Sequence, residues 1–371
     1  MSVPISFLFD VYVNVTFAIV ANFSSMDTEK AQDPAFPSVL PFASICRGKD
    51  MKNTSSALDA RVSLNFSVAK VVAIFTVLLG HWFSPSILWI PVTIGLFIFA
   101  YSSGYFTARL YGPDLNIRSF WKRKLERLGV RYWVILGFLA VVVMVRGGTL
   151  LHPHTLVHLF GLSGVLNWLD IRNRSGLGAG LWFFTLLLVF YLAYPMLAKL
   201  CQSKQGALAV AVGSTIIAVY LEDRSRIGHE LWLTSLGFVL GVAYGAHEPR
   251  PRAWQAAVVA GLGCIALLVA NRAGFKGANT ALIAMTSIAC SVWLTSAVNF
   301  RWHGFSRLAK LEDYLLEIFL IHTYLFMHPT RNTLLDLLIS TMAIVAVAVG
   351  LNRVGNWVSS KVLPRQATVC A

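Results

Sequence analysis

Acidic side chains are scarce in this chain. Asp and Glu together number 17 in 371 residues against 31 Lys and Arg, and charged residues of either sign make up only 13%. A soluble globule of this size needs more polar surface than that, so the shortage excludes an ordinary soluble fold. Cysteine is sparse too: Cys46, Cys201, Cys264, Cys290 and Cys370 include no CxxC pair, and Cys264 and Cys290 lie within apolar runs. Neither a disulfide framework nor a thiolate metal site is indicated. Internal repeats and low-complexity tracts are also absent. What the chain has in quantity is apolar surface, at 56% hydrophobic residues and a mean hydropathy of +0.65. The formal charge of +14 would suggest a nucleic-acid partner in a soluble protein. Here the cations fall in short loops between apolar runs, where they set membrane topology, and no nucleic acid is implied.

Ten apolar runs of near-spanning length follow one another, at about residues 66 to 84, 87 to 108, 130 to 147, 179 to 200, 206 to 221, 231 to 246, 253 to 271, 278 to 299, 311 to 327 and 334 to 352. They predict an all-α, polytopic membrane protein, a bundle of about ten transmembrane helices. The stretch 150 to 178 is amphipathic at best and reads as a non-spanning helix and loop. Residues 1 to 58 form a poorly defined N-terminal extension that lacks the basic n-region of a signal peptide. They read as an extra span, an interfacial helix or a region upstream of a start at Met51. The core domain is then 59 to 371. Of the 31 Lys and Arg, 21 fall on the side of the residues preceding the first run and 8 on the other, leaving out Lys30 and Lys70. The excess places both ends of the core in the cytoplasm.

Three constellations carry chemistry. The first run contains KVVAIFTVLLGH, from Lys70 to His81. An offset of eleven residues at 100° each returns the second side chain to within about 20° of the first, roughly 16 Å further along the axis. An ionisable pair on one face of a spanning helix points to function. His81 suits a general base or a transiently acylated nucleophile, and the sequence leaves both open, along with simple hydrogen bonding between helices. The second is FWKRKLERLGVRYW, Phe120 to Trp133, in which Lys124 and Arg127 share a helix face with Arg123 and Arg131 around them. That run serves as a positive-inside anchor or as a dock for a polyanion such as coenzyme A. The third is LLEIFLIHTY, in which Glu317 and His322 stand five apart. A buried carboxylate beside a histidine would orient it or raise its pKa. His152, His154 and His158 invite a metal reading, but no second cluster completes a site, and no metal is expected.

Taken in order, these motifs resemble the acyltransferase 3 family, polytopic enzymes that O-acylate cell-surface carbohydrates of bacteria. Lys70 and His81 are similar to the R/K-x10-H signature of that family's first span. FAYSSGYF, with Ser103, Gly104 and Tyr105, resembles its Ser-Gly-Phe/Tyr turn. Lys124 and Arg127 stand at its R-x-x-R stretch, LWFFTLLLVFYLAYP is similar to its WfL...FYl.yP run, and LEIFLIH resembles its YEIYLIH stretch. The resemblance covers roughly residues 60 to 352. The chain departs from the pattern at Ser67, where an Asp is common, at Lys124 for Arg, at Leu187 for Glu and at Arg131 for Pro.

The resemblance implies an acyltransferase of the class moving groups other than amino-acyl groups, in the inner (cytoplasmic) membrane of a bacterium. An acyl-CoA, acetyl-CoA first, would be the co-substrate on the cytoplasmic side. A hydroxyl of an extracytoplasmic or lipid-linked glycan, such as an exopolysaccharide or lipopolysaccharide, would be the acceptor. His81 would be the catalytic residue, with Tyr105, His322 and Glu317 orienting it or stabilising an oxyanion. Lys70, Arg123, Lys124 and Arg127 would hold the phosphates of the donor. The competing class is a multi-pass transporter or flippase of a sugar or lipid-linked sugar, since intramembrane His and Glu also suit proton relays.

Overall fold

The computed structural model describes residues 53 to 84, 88 to 225, 231 to 247, 253 to 274, 279 to 296 and 303 to 362. The expectations for residues 1 to 52, Cys46 and Cys370 lie outside the described residues, as do nine of the cations counted for topology.

Every described element is helical. In chain order they are α1 (Asn53–Trp82), α2 (Trp89–Leu110), α3 (Ile117–Val145), α4 (Pro153–Leu159), α5 (Ser163–Trp168), α6 (Trp182–Leu200), α7 (Lys204–Arg224), α8 (Trp232–His247), α9 (Ala253–Arg272), α10 (Asn279–Ser296) and α11 (His303–Ala309). A 3-10 turn (Lys310–Tyr314), α12 (Leu315–Ile321), a second 3-10 turn (His322–Tyr324) and α13 (Thr333–Val362) complete the order. In hydrocarbon each backbone polar group must be satisfied within its own segment, and a helix does that for an apolar run. Polar caps mark the ends: Asn116 Oδ1 accepts from Ser119 N at 3.0 Å before α3, and Ser203 Oγ accepts from Gly206 N at 3.0 Å before α7.

Seven helices among the described residues are long and apolar enough to cross a membrane, where ten were expected. They are Ala60–Trp82, Trp89–Leu110, Ile117–Val145, Trp182–Leu200, Lys204–Arg224, Ala253–Arg272 and Thr333–Val362. Several leave broad apolar faces uncovered, including Val141 and Met144 on α3, Leu208 and Ile216 on α7, and Leu338 and Met342 on α13. Such faces suit lipid contact. The expected runs at 231 to 246 and 278 to 299 are helical but shorter. The 16 residues of α8 span only about 24 Å at 1.5 Å each.

The expected span at 311 to 327 is broken, and its own carbonyls show why. The Asp313 carbonyl accepts from Arg131 Nη2 at 2.8 Å and from Asn352 Nδ2 at 2.9 Å. At the other end, the Phe319 carbonyl accepts from His322 Nδ1 at 2.6 Å. Side-chain donors inserted into the helical ladder at both ends tighten the flanking turns to 3-10 and leave a seven-residue α-helix between them. That short helix is almost wholly buried. Leu315, Ile318, Phe319, Leu320 and Ile321 are all buried, and the element packs against α1, α3 and α13. Phe183 of α6 covers Phe319 at a ring separation of 4.4 Å.

The tightest helix pair is α2 against α8. Gly237, Gly241 and Gly245 form a ridge of period four along α8, and a Cβ at each would collide with the carbonyls of Phe97, Tyr101 and Tyr105. Small residues at this spacing let two backbones touch, which substitutes for the weak hydrophobic drive between helices in lipid. Helices α1 and α2 run antiparallel, with Gly80 against Val92, Gly95 against Ala73 and Phe66 against Tyr105. Between α3 and α6 the chain forms a small cap of α4, α5 and connecting turns, in agreement with the non-spanning helix and loop expected there.

Candidate functional site

Both ends of the Lys70 to His81 stripe face the same broken segment. Lys70 meets the first 3-10 turn, and His81, on the last turn of α1, meets the second. The rings of His81 and His322 lie 5.1 Å apart, centre to centre. His322 is 1% exposed and is enclosed further by Phe319 and Phe326 at 5.8 and 5.9 Å. Since a carbonyl can only accept, the bond to Phe319 fixes the hydrogen of a neutral His322 on Nδ1 and leaves the lone pair on Nε2. That nitrogen is buried and has no hydrogen-bond partner among the described residues. His81 by contrast is exposed. Beyond it, Trp82 stacks on His328 at 4.6 Å and 11° and meets Phe326 edge-on at 5.2 Å. The pair therefore combines a reachable imidazole with a buried one of fixed tautomer, an arrangement able to take up and return a proton.

Two ionic braces hold the broken segment. In the first, Lys70 Nζ and Ser67 Oγ donate to the two oxygens of the Glu312 carboxylate. Lys70 is therefore not an unengaged cation waiting for phosphate. Glu312 brings a carboxylate to the level of α1 where Ser67 replaces the common Asp. In the second, Arg131 binds Glu317 through both donors, Nε to Oε1 at 2.8 Å and Nη2 to Oε2 at 2.5 Å. Asn352 Nδ2 adds a contact to Oε1 at 3.4 Å. Glu317, expected beside the histidine, instead serves Arg131 and Asn352. Five residues along a helix turn the two side chains to different faces.

The remaining expected residues sit elsewhere. Lys124 Nζ lies 4.6 Å from the ring centre of Tyr191 and 5.4 Å from that of Tyr111, and Arg123 lies 5.6 Å from Tyr111. Arg127 is exposed on the same helix, one turn on. This group is a cationic patch on an aromatic base. Tyr105 packs on Phe66, Tyr101 and Tyr244. Phe66 precedes His81 by fifteen residues, about 22 Å along the helix, so the structure does not bring Tyr105 to the histidine pair. His152 and His154 lie in the cap with ring centres 4.5 Å apart, while His158 turns inward to Ser163 Oγ at 2.7 Å and Asn173 Oδ1 at 3.2 Å. Among the described residues no group of three or more His, Cys, Asp or Glu is placed to hold a metal.

Sequence reasoning missed Glu312, Asn352 and the Trp82–His328 stack, and it took Arg131 as one of the clustered cations and as a departure rather than as the partner of Glu317. One signal was present: in a chain short of acids, an acid beside an intramembrane cation is a natural partner, and Glu312 and Glu317 lie in one short run.

A search of curated proteins and a search of solved structures each return no match. The acyltransferase 3 family model, described as an acyltransferase domain, matches residues 63–354, from the first turns of α1 to the last turns of α13. That interval contains the histidine pair, both braces and the cationic patch, and on it the chain belongs to the acyltransferase 3 family.

Proposed function

We propose that the protein transfers an acyl group, acetyl first, from a cytoplasmic acyl-CoA to a hydroxyl of a glycan on the other side of a bacterial inner membrane. The observation that carries this reading is the meeting of exposed His81 with buried His322, whose tautomer the Phe319 carbonyl fixes. His322 Nε2 keeps its lone pair beside the His81 ring, and an N–H of His81 donated to it during the reaction leaves the other His81 nitrogen as the base. As the acceptor oxygen attacks the thioester carbon, His81 takes the hydroxyl proton. The tetrahedral intermediate then expels the CoA sulfur, the C–S bond breaks, and the proton passes from His81 to the thiolate. The products are an ester and a free thiol.

The donor phosphates dock on Arg123, Lys124 and Arg127, at the end of the bundle where the Lys and Arg excess places the cytoplasm. Tyr111 and Tyr191 beneath the cations supply flat surface for an adenine. Lys70, bound to Glu312, holds the first 3-10 turn against α1, and Arg131 with Glu317 holds α12, so both braces fix the height of His322 opposite His81. Replacing His81 with Ala in the purified protein should lower acyl transfer by about 10²-fold or more while leaving its elution and thermal unfolding unchanged. Transfer by a folded His81→Ala protein at the wild-type rate would overturn the assignment.

A further inference from the structure

The cap between α3 and α6 holds a cavity that the histidine pair does not use. It is about 440 Å³ in volume and is lined by Leu166, Asn167, Asp170, Ile171, Arg172 and Asn173. The backbone at Asp170 is left-handed, with φ 54°, a conformation Asp tolerates better than most residues. The turn it makes lets positions on either side of it line one concavity. Two features bear on the ligand. The first is chemical: the side chains of Asn167, Asp170 and Arg172 make no hydrogen bond or ion pair among the described residues, although Asp170 and Arg172 line the same hollow. One anion, one cation and an amide, each open to hydrogen bonding, balance in charge. The lining therefore disfavours a polyphosphate, which needs a cationic cluster, and a lipid chain, which needs apolar walls. It suits a neutral ligand that both donates and accepts at neighbouring atoms, as vicinal hydroxyls do.

The second feature is structural. The back of the cavity is fixed, because Asn173 Oδ1 accepts from Ser175 N at 3.0 Å and is bonded to His158 Nε2, while Asn173 Nδ2 donates to the carbonyls of Ser175 and Leu177. A few residues on, the backbone N–H groups of Gly178 and Ala179 both donate to Tyr324 Oη, at 2.7 and 3.0 Å. Gly180 rests so close to the Phe319 carbonyl that a Cβ there would stand 3.2 Å from it. Tyr324 follows His322 by two residues, and the Phe319 carbonyl is the one that fixes the His322 tautomer. The cap is therefore seated on the turn that carries the buried histidine.

We infer that this cap is the acceptor-recognition element, and that Asn167, Asp170 and Arg172 hold a neutral polyhydroxylated ring through its adjacent hydroxyls. The inference rests on the acyl-transfer reading for the purpose of the ligand, and on the cavity for its chemistry. The test uses the full chain in nanodiscs, with methyl α-glucopyranoside, α-mannopyranoside and α-galactopyranoside as probes and their permethylated forms as controls. Saturation transfer should reach at least one free pyranoside and none of the controls. The Asp170→Asn, Arg172→Gln double variant should weaken binding by roughly tenfold or more, since each lost bond involves a charged group. Neither side chain has a hydrogen-bond or ion-pair partner among the described residues, so the variant should fold, with elution and thermal unfolding as in the wild type. Binding to none of the pyranosides, equal binding by the double variant, or preferential binding of inorganic pyrophosphate at this cavity would overturn the inference. Thiol release by the wild type is scored separately: its absence counts against acyl transfer, its presence with failed sugar binding against the cap alone.

Discussion

Glu317 is 1% exposed, and its carboxylate is bound by Arg131 through two parallel bonds and by Asn352 through a third. Removing one partner of such a pair strands the other in a low-dielectric interior, whereas removing both does not. Arg131→Met should therefore destabilise the protein by about 3 kcal/mol, read as a fall in the thermal unfolding midpoint in detergent, while Arg131→Met with Glu317→Leu should recover part of that loss. A double variant as unstable as the sum of the two singles would remove the brace from the argument. These side chains also show where sequence reading stops. The eleven-residue offset of Lys70 and His81 was legible because helical geometry acts within one run. The partner of Lys70 lies 242 positions away and that of Arg131 lies 186 away, and no local periodicity encodes such a meeting. Tyr105 was misplaced for the same reason: motif order gives no depth in the bundle, and the antiparallel pairing of α1 with α2 puts it beside Phe66.

The helices themselves were largely visible as apolar runs, because hydropathy over a window is a property of contiguous residues. The break at α12 was not. A window averages over LEDYLLEIFLIHTY and cannot see that the Asp313 and Phe319 carbonyls are taken by Arg131, Asn352 and His322. The cap was legible as non-spanning, but its internal order was hidden in side-chain bonds. His158 is the group there with a testable consequence. Burial depresses its pKa first, the Asn173 bond pulls it partly back up, and nearby His154 adds a smaller downward effect. The neutral ring is thus the folded form. As pH falls below about 6.5 the unfolded chain takes up the proton before the folded one, so stability is present above that value and declines below it. Hydrogen exchange at the Gly178 and Ala179 amides, corrected for intrinsic rates, should accelerate between about pH 7 and about pH 5.5 in the wild type. His158→Gln should flatten that dependence. An unchanged acceleration in the variant would assign it to another group.

Across the bundle, the two ends differ in chemistry. One carries Arg123, Lys124 and Arg127 on an aromatic base, and the other carries the exposed His81 with Trp82 and His328 beside it. If the first end holds donor phosphates, acyl-CoA affinity should fall as salt rises, and Lys124→Ala with Arg127→Ala should weaken it and flatten the salt dependence. Equal affinity and equal slope in the variant would place the donor elsewhere. The cationic end was readable from sequence as a charge run, whereas the aromatic base joins Tyr111 and Tyr191 from two separate segments. The reading of the molecule as an enzyme rather than a carrier comes down to whether a thioester is cleaved on it. The measurement is free thiol released from acetyl-CoA by the purified protein in nanodiscs with pyranoside acceptors present, compared with His81→Ala. Thiol release by the wild type, lost in a folded variant, is the predicted result, and no release by the wild type, or equal release by the variant, would contradict it.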